Sequence, residues 1–231
     1  MNYKKDIKSI GGWLTKKEGE FLFNTAKSLS SKDKIIEIGS WKGRSTTCLG
    51  LGVKEGGKSK IFAIDPYTDF TEKFKVLTKE DTYQKFLSNI KKAKIDKFIT
   101  SIKKTSSKAF KTFEKKYGFN NIKLILVDGG HTFNLVKIDH KLWFPKLENN
   151  RLIAFHDSWF HFGVQLYTAI ILITSKEVRN PRLIDTMTVM EKVKINTLND
   201  RINNILFVIY RLLVGWIGVF KINFFGGLPF D

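Results

Sequence analysis

The feature that most constrains this chain is an apolar run that ends in a glycine-containing turn and continues into a helix-like segment. Residues 35–38 (Ile-Ile-Glu-Ile) have the pattern of a buried strand, and Gly39 and Gly43 lie in the turn that follows. Glycine tolerates a close approach that a Cβ would block, and the first turn of a helix offers unpaired N–H groups. This combination is typical of the ligand-binding edge of a parallel α/β sheet.

A second apolar run, residues 61–64, ends at Asp65, which lies 22 residues after Gly43. Near this spacing, nucleotide-binding α/β folds present a carboxylate to a ribose hydroxyl. A dinucleotide site would need a glycine where Trp41 stands, because the pyrophosphate approaches the backbone there. A site for S-adenosylmethionine (SAM), which has no phosphates, needs only a close turn, a carboxylate near the amino-acid portion and an acid for the ribose. An ordinary strand–helix turn without a ligand is the third interpretation.

Two further apolar runs end in clusters of ionisable side chains. One run leads into Asp128 and His131, and the next leads into His156 and Asp157. Open parallel sheets carry their functional groups just outside the carboxyl ends of the strands, so we expect these clusters to face the same crevice as the glycine turn. Carboxylate oxygens and imidazole nitrogens are suitable ligands for a divalent metal ion.

Taken together, these segments resemble the class I SAM-dependent methyltransferases. Within that class they resemble the metal-dependent O-methyltransferases that act on sugars and natural products, including relatives from macrolide-sugar and cephalosporin pathways. The resemblance covers about residues 30–193. The residues that carry it are Ile36–Ser40, Gly43, Ser45 and Thr46, then Asp65, then Val127–Phe133, then Val136, Lys137, Asp139, Leu142 and Trp143, then Ile153–Asp157, and last Gly163 and Val164.

The resemblance implies a Rossmann-like α/β fold. The expected sheet has seven mostly parallel strands with helices on both faces, and its last strand is antiparallel. Residues 183–193 would supply the closing hairpin.

The resemblance also implies SAM as the methyl donor and a divalent metal, Mg or Mn, as a second cofactor. The implied cofactor-binding residues are Glu37, Gly39, Ser40, Gly43, Ser45, Thr46, Asp65, Ser101 and Asp128, with Asp65 on the ribose. The implied metal ligands are Asp128, His156 and Asp157, where His156 replaces the Glu of the best-known metal enzymes. Asp128 and His131 are the expected catalytic residues, and His131 is the expected general base.

Length and composition predict one globular domain with a short addition. A chain of 231 residues with 42% hydrophobic content can bury a sizeable core. We predict a methyltransferase domain over residues 1–194, whose first helix, at about residues 15–30, begins with a capping box and serves core packing, and an apolar extension over residues 195–231. Cys48 is the only cysteine, so no intrachain disulfide forms, and no signal-peptide pattern opens the sequence. These features predict a cytoplasmic protein.

The net charge of +18 does not by itself indicate a nucleic-acid partner. Of the 40 basic residues only six are Arg, the residue that favours bidentate contacts with phosphates and bases. The lysines are spread along the chain rather than massed in one segment. The interpretation that a basic face of the protein contacts anionic lipid or an acidic glycan stays open.

The apolar C-terminal segment, residues 205–220, is interrupted by Arg211. A bilayer span needs about 20 apolar residues, so the segment is too short to cross a membrane. Three interpretations stay open: a helix buried on the sheet or in a homo-oligomer, a helix lying on the inner face of a membrane, and a disordered tail. The residues that suit a membrane surface are Trp216, Phe220, Lys221, Phe224 and Phe225.

The sequence therefore predicts a SAM-dependent O-methyltransferase. Its expected acceptor is a hydroxyl group of a carbohydrate or a related small metabolite, in glycan or natural-product biosynthesis. Two alternatives stay open. One is a methyltransferase for another acceptor such as RNA, and the other is a membrane-associated scaffold that binds SAM without turnover.

Overall fold

The computed structural model describes residue 7, residues 9–68 and residues 81–225, with side chains described up to residue 213. The strands are β1 (Lys34–Ile38), β2 (Lys60–Asp65), β3 (Ile99–Lys103), β4 (Ile122–Val127), β5 (Leu152–Phe155), β6 (Val178–Ile184) and β7 (Met187–Lys192). The helices are α1 (Lys16–Lys27), α2 (Arg44–Glu55), α3 (Thr82–Lys92), α4 (Ser106–Tyr117), α5 (Phe133–Trp143), α6 (Phe162–Thr174) and α7 (Leu198–Phe225). The side chains of Trp216, Phe220, Lys221, Phe224 and Phe225, which the membrane interpretation invokes, lie outside the described side chains.

The strands form one seven-stranded sheet in the order β3-β2-β1-β4-β5-β7-β6. Strands β1 to β5 pair in parallel, whereas β7 runs antiparallel to both of its neighbours, β5 and β6. The predicted closing hairpin is confirmed, although β6 begins earlier than expected, at Val178. The predicted fold class is confirmed as well.

Alternation along the strands creates two cores, one on each face of the sheet. In β4, Leu124 and Leu126 face the core formed with α1, α2 and α3, whereas Ile125 and Val127 face the core beneath α4 to α7. Strands covered on both faces are therefore almost wholly apolar, which explains why their period-2 pattern is invisible in the sequence.

The direction of chain progression reverses between β1 and β4, so a crevice opens at their carboxyl ends. Gly39 is at this point, with a φ of +87°, and a Cβ on it would lie 2.1 Å from the carbonyl oxygen of Asp128. The Asp128 amide donates to the carbonyl of Ile38 at 2.7 Å. The glycine thus lets the chain after β4 pack directly against the turn after β1. This packing requires a glycine at position 39 independently of the predicted approach of a cofactor.

The C-terminal helix α7 packs on the sheet along at least its first four turns. Asn204 is fully buried and donates to the carbonyl of Val178 at 2.9 Å. Arg211 is also fully buried, and its guanidinium donates to Thr168 Oγ1 at 2.7 Å and to the Gln165 carbonyl at 2.7 Å. Arg211 therefore anchors this helix to α6 rather than merely interrupting an apolar run. Among the described residues, we find no helix long and apolar enough to cross a bilayer.

Candidate active site

The turn after β1 holds a buried carboxylate. Gly43 caps α2 in the left-handed conformation, and the first residues of α2 then face back toward the strand. Ser45 Oγ donates to Glu37 Oε1 at 2.7 Å, and Thr46 Oγ1 donates to Glu37 Oε2 at 2.5 Å. Burial raises the pKa of Glu37 to about 8, despite the opposing effect of these two hydrogen bonds. The hydroxyl hydrogens of Ser45 and Thr46 are thus directed to Glu37.

Asp65, at the end of β2, ties the two neighbouring turns together. Its Oδ2 accepts from the backbone amides of Ser40 and Trp41, both at 2.9 Å. Its Oδ1 accepts from the amide of Tyr67 at 2.6 Å. A carboxylate oxygen has two acceptor positions, so Oδ1 keeps one position for a further donor such as a ribose hydroxyl. The ribose contact stays a prediction.

Ser101, one of the predicted cofactor-binding residues, lies two residues before the end of β3. It pairs in register with Ala63 of β2. Its hydroxyl contacts Tyr83 Oη at 3.0 Å, which joins β3 to α3. Its contact with a cofactor stays a prediction.

The ionisable groups after β4 and β5 come together as the sequence predicts. His156 Nδ1 lies 3.0 Å from Asp128 Oδ1 and 3.5 Å from Asp157 Oδ1. This nitrogen is buried, and neither contact has hydrogen-bond geometry. One ligand atom from each of these three residues lies within 4.8 Å of the others. A buried nitrogen without a hydrogen-bond partner, facing two carboxylate oxygens, suits a shared cation, so the donor set fits the predicted divalent metal.

Two more histidines surround the other oxygen of the same aspartate. His131 Nε2 lies 3.2 Å from Asp157 Oδ2, and His161 Nε2 lies 3.7 Å from it. The two imidazole rings stack with their centroids 4.0 Å apart. Asp157 has a left-handed φ of 54°, which is uncommon for a residue other than glycine and directs its carboxylate between the imidazoles. The sequence identified His131 as a site residue, and the structure adds His161 to the same cluster.

The charges in this cluster stabilise each other. Burial disfavours the charged form of His156, but the charge of Asp128 and the contacts with Asp157 and Glu18 outweigh it and raise the pKa of the imidazole. Burial likewise opposes ionisation of Asp157, but its contacts with His131 and His156 outweigh this effect and lower the pKa of the carboxyl. The aspartate is therefore ionised across the physiological pH range, as a metal ligand or a partner of a general base must be.

Glu18 is the site residue that the sequence did not identify. The predicted capping box at the start of α1 is confirmed, because Thr15 N donates to Glu18 Oε2 at 2.8 Å and Glu18 N donates to Thr15 Oγ1 at 3.2 Å. The same carboxylate, however, is fully buried and lies 3.3 Å from His156 Nε2. The helix therefore contributes a contact to the cluster in addition to the predicted core packing. The capping-box pattern alone accounts for a glutamate at position 18, so nothing in the sequence indicated its contact with His156.

A second hydrogen-bonded network lies behind the cluster. Ser158, the residue after Asp157, contacts Thr188 Oγ1 at 2.7 Å, and Arg211 Nη1 donates to the same threonine oxygen at 3.1 Å. This chain of contacts joins the loop after β5 to helix α7. The C-terminal extension is thus connected to the site through buried polar groups.

Comparisons with known proteins agree with this architecture. A family profile described as a methyltransferase domain matches residues 36–158, which is more than half of the chain. No curated protein sequence matched.

Three solved structures illustrate the likeness of fold. An O-methyltransferase from Bacillus cereus in complex with SAH has a TM-score of 0.60 at 12% identity, covering 83% of this chain and 90% of that one. The O-methyltransferase TomG from Streptomyces achromogenes, in complex with SAM, has a TM-score of 0.57 at 12% identity, covering 78% and 82%. An rRNA methylase from Streptococcus thermophilus has a TM-score of 0.52 at 13% identity, covering 76% and 94%. The matched family and the sheet order together lead to one conclusion: this chain belongs to the methyltransferase-domain family and is a class I SAM-dependent methyltransferase.

Proposed function

We propose that this enzyme transfers the methyl group of SAM to a hydroxyl oxygen of a carbohydrate or a related small metabolite. The observation that carries the proposal is the cluster of Asp128, His131, His156 and Asp157 at the carboxyl ends of β4 and β5. It lies across the crevice from the glycine turn and Asp65, where the family binds its methyl donor. The solved O-methyltransferases of the same fold support oxygen as the acceptor atom.

An alcohol needs help before it can accept the methyl group. In the transfer, the bond between the methyl carbon and the sulfonium sulfur breaks and its electron pair stays on sulfur, while a carbon–oxygen bond forms. The hydroxyl proton must leave, and alcohols hold this proton tightly at neutral pH. His131 is the candidate base, because its Nε2 is in the cluster and Asp157 beside it stabilises the imidazolium that forms. A divalent ion held by Asp128, His156 and Asp157 would polarise the hydroxyl and make its proton easier to remove.

The donor side of the crevice supplies orientation. We assign the ribose to Asp65 and the amino-acid portion of SAM to the turn of Gly39, Ser40 and Gly43. Glu37 lies fully buried beneath this turn, where Ser45 and Thr46 keep its carboxyl group in place. Holding donor and acceptor in line removes much of the entropic cost of their encounter.

Methyl transfer from radiolabelled SAM tests this proposal. The purified chain is incubated with Mn²⁺ and, in separate reactions, nucleotide sugars, lipid-linked sugars, catechols and total RNA. We expect label in a sugar or small-metabolite fraction, loss of transfer after chelation, and a loss of about 100-fold or more in His131→Gln. Asn134→Ala, an exposed change in the first turn of α5, three residues after His131, is the matched control. Label in RNA alone, or tight SAM binding without transfer to any acceptor, would instead support the RNA enzyme or the inactive scaffold.

We also propose that the enzyme works at an anionic membrane surface. Nearly all large hydrophobic side chains exposed in the described part of the chain lie on or next to three adjacent helices, α5 to α7. They are Leu135, Ile138, Phe160, Phe162, Leu166, Ile170, Ile173, Ile195, Leu198, Ile202, Ile205, Leu206, Ile209, Tyr210, Leu212 and Leu213. Soluble monomers rarely expose a large apolar patch, and sixteen such side chains on or next to three adjacent helices are more than scattered surface residues.

The charges on these helices favour lipid as the occupant. Helix α6 contains no charged residue, and between residues 202 and 213 of α7 the only charged residue is Arg211, which is buried. Lys137, Lys141 and Arg201 lie on the same helices and suit anionic headgroups at the edge of the surface. A second copy of the chain would instead bring two proteins of charge +18 together. An acceptor carried on a lipid would approach the site here, because α6 begins beside His161.

Liposome flotation with phosphatidylglycerol vesicles tests the membrane proposal. We expect the full chain to float and the double variant Leu206→Asp/Leu213→Asp to stay at the bottom, since both side chains are exposed and the change leaves Arg211 intact. Lys111→Asp, on exposed α4, lowers the net charge by the same amount and serves as the control. If the double variant floats like the wild type, or if the wild type is a dimer that never floats, the surface is not a lipid contact.

A further inference from the structure

We propose that Glu18 is a positioning residue that orients the imidazole of His156 toward the metal. The inference rests on the proposed function, because it takes His156 as a ligand. Glu18 belongs to α1 and lies outside the residues matched by the family profile. It is fully buried, and its Oε2 lies 3.3 Å from Nε2 of the His156 ring.

The surroundings of Glu18 fix its carboxylate in one orientation. Oε1 accepts from the Thr186 amide at 2.9 Å and from Thr186 Oγ1 at 2.5 Å. Oε2 accepts from the Thr15 amide at 2.8 Å and contacts His156 Nε2 at 3.3 Å. Four donors thus surround two oxygens, which have four acceptor positions between them. The residue cannot turn away from His156 without leaving a buried amide unpaired, which is costly.

This contact decides which ring nitrogen of His156 faces the metal cluster. A carboxylate can only accept, so it requires the proton of the ring on Nε2. Nδ1, on the opposite side of the ring, faces Asp128 Oδ1 and Asp157 Oδ1 at 3.0 and 3.5 Å, so it is the nitrogen left to bind a metal. Metal-binding histidines commonly have such an acceptor on the second nitrogen, and it fixes both the tautomer and the ring orientation.

The capping role of Glu18 does not account for these contacts. A capping box needs only the reciprocal bonds between Thr15 and Glu18, and a glutamine serves in it equally well. Here the carboxylate also joins α1 to the turn between β6 and β7 and to the end of β5. A glutamine would place its NH₂ group against the backbone amide of either Thr15 or Thr186, so it could not hold the His156 ring as the carboxylate does.

Glu18→Gln separates positioning from capping. We expect the dissociation constant for Mn²⁺, measured by calorimetry on the SAM-bound protein, to rise 10- to 100-fold. Thr15→Ala is the matched control, because it removes the hydroxyl cap but keeps the backbone bond from residue 15 to Glu18. We expect it to lower the melting temperature while leaving Mn²⁺ affinity unchanged. An unchanged Mn²⁺ affinity in folded Glu18→Gln would overturn the proposal.

The imidazole ¹⁵N chemical shifts of His156 provide a second measurement that does not depend on metal. In metal-free wild type we expect the proton on Nε2, which faces Glu18, to exchange slowly with solvent, and in Glu18→Gln we expect the Nε2 shift to change and this proton to exchange faster. If wild type binds no Mn²⁺ but the shifts change as expected, the metal part of the proposed function fails while the orientation by Glu18 stands. If the shifts are the same in both proteins, the positioning role is wrong whatever the metal result.

Discussion

Two groups of carboxylates lie at the same edge of the sheet, and they are held in different ways. After β1 and β2, Glu37 and Asp65 are held by hydroxyls and backbone amides from neighbouring turns, without a cationic partner among the contacts described. After β4 and β5, Asp128 and Asp157 are surrounded by imidazoles. Accordingly, the pKa of Glu37 rises to about 8, whereas the pKa of Asp157 falls. This difference agrees with the two proposed roles. The first group binds the methyl donor, and the second group, which stays ionised, binds the metal and stabilises the protonated general base.

Asp157→Asn tests this comparison most severely. The amide removes the charge that His131, His156 and His161 share, and it places an NH₂ group against one of the rings. We expect the single-turnover rate of methyl transfer to fall about 100-fold or more, with SAM affinity unchanged. Asp185→Asn, at a partly exposed aspartate paired with Lys17, is the control and should retain full activity. A loss of SAM binding in Asp157→Asn would mean that the two carboxylate groups do not act separately.

Asp65 is the corresponding test on the donor side. We expect Asp65→Ala to weaken SAM binding by about 1.5–3 kcal/mol in calorimetric titration, because a charged acceptor for the ribose is lost together with the bonds to Ser40 and Trp41. Asp65→Asn keeps one acceptor for those amides and should lose less affinity. If both variants bind SAM like the wild type, Asp65 only shapes the turn.

The two groups also differ in how far the sequence predicted them. The donor side depends on contacts between residues close in the chain, such as Glu37 with Ser45 and Thr46, so a local pattern of strand, glycine and helix was sufficient. The sheet order was predictable through the resemblance, and the strand-end rule brought Asp128 and His156 together. The sheet order confirms the predicted fold class, and the 3.0 Å distance between His156 Nδ1 and Asp128 Oδ1 confirms that these two strand ends meet.

Contacts between distant segments were not predictable in the same way. Glu18 meets His156 across 138 residues of sequence, and Arg211 reaches Thr168 across 43. Each residue already had a local explanation, a helix cap for Glu18 and an interruption of an apolar run for Arg211. A sequence pattern reports the periodicity of an element, whereas the partner of a buried polar side chain is decided by how the elements pack.

The raised pKa of Glu37 predicts a pH-dependent stability. Its folded pKa of about 8 exceeds its ordinary value of 4.5, so between these values the folded state holds a proton that the unfolded state has lost. The free energy of unfolding therefore decreases from pH 4.5 to about pH 8 through this group and then levels off. Glu37→Gln removes the contribution, so its melting temperature relative to wild type should rise from pH 5 to pH 9. A difference that stays constant across this range would show that Glu37 is ionised in the fold throughout.

The smallest effect we predict concerns one hydroxyl on the donor side. Ser45→Ala removes one of the two hydrogen bonds that favour ionised Glu37, so the pKa of Glu37 should rise further. A hydrogen bond to a charged group is worth more than one to a neutral group, so urea unfolding should show a loss of about 1 kcal/mol at pH 6 and a larger loss at pH 9. Ser28→Ala is the matched control, because its hydroxyl donates to the backbone carbonyl of Thr25 and its loss should not depend on pH. Equal losses for Ser45→Ala at both pH values would mean that Glu37 keeps the same protonation state, and the contrast between the two carboxylate groups would then rest on their partners alone.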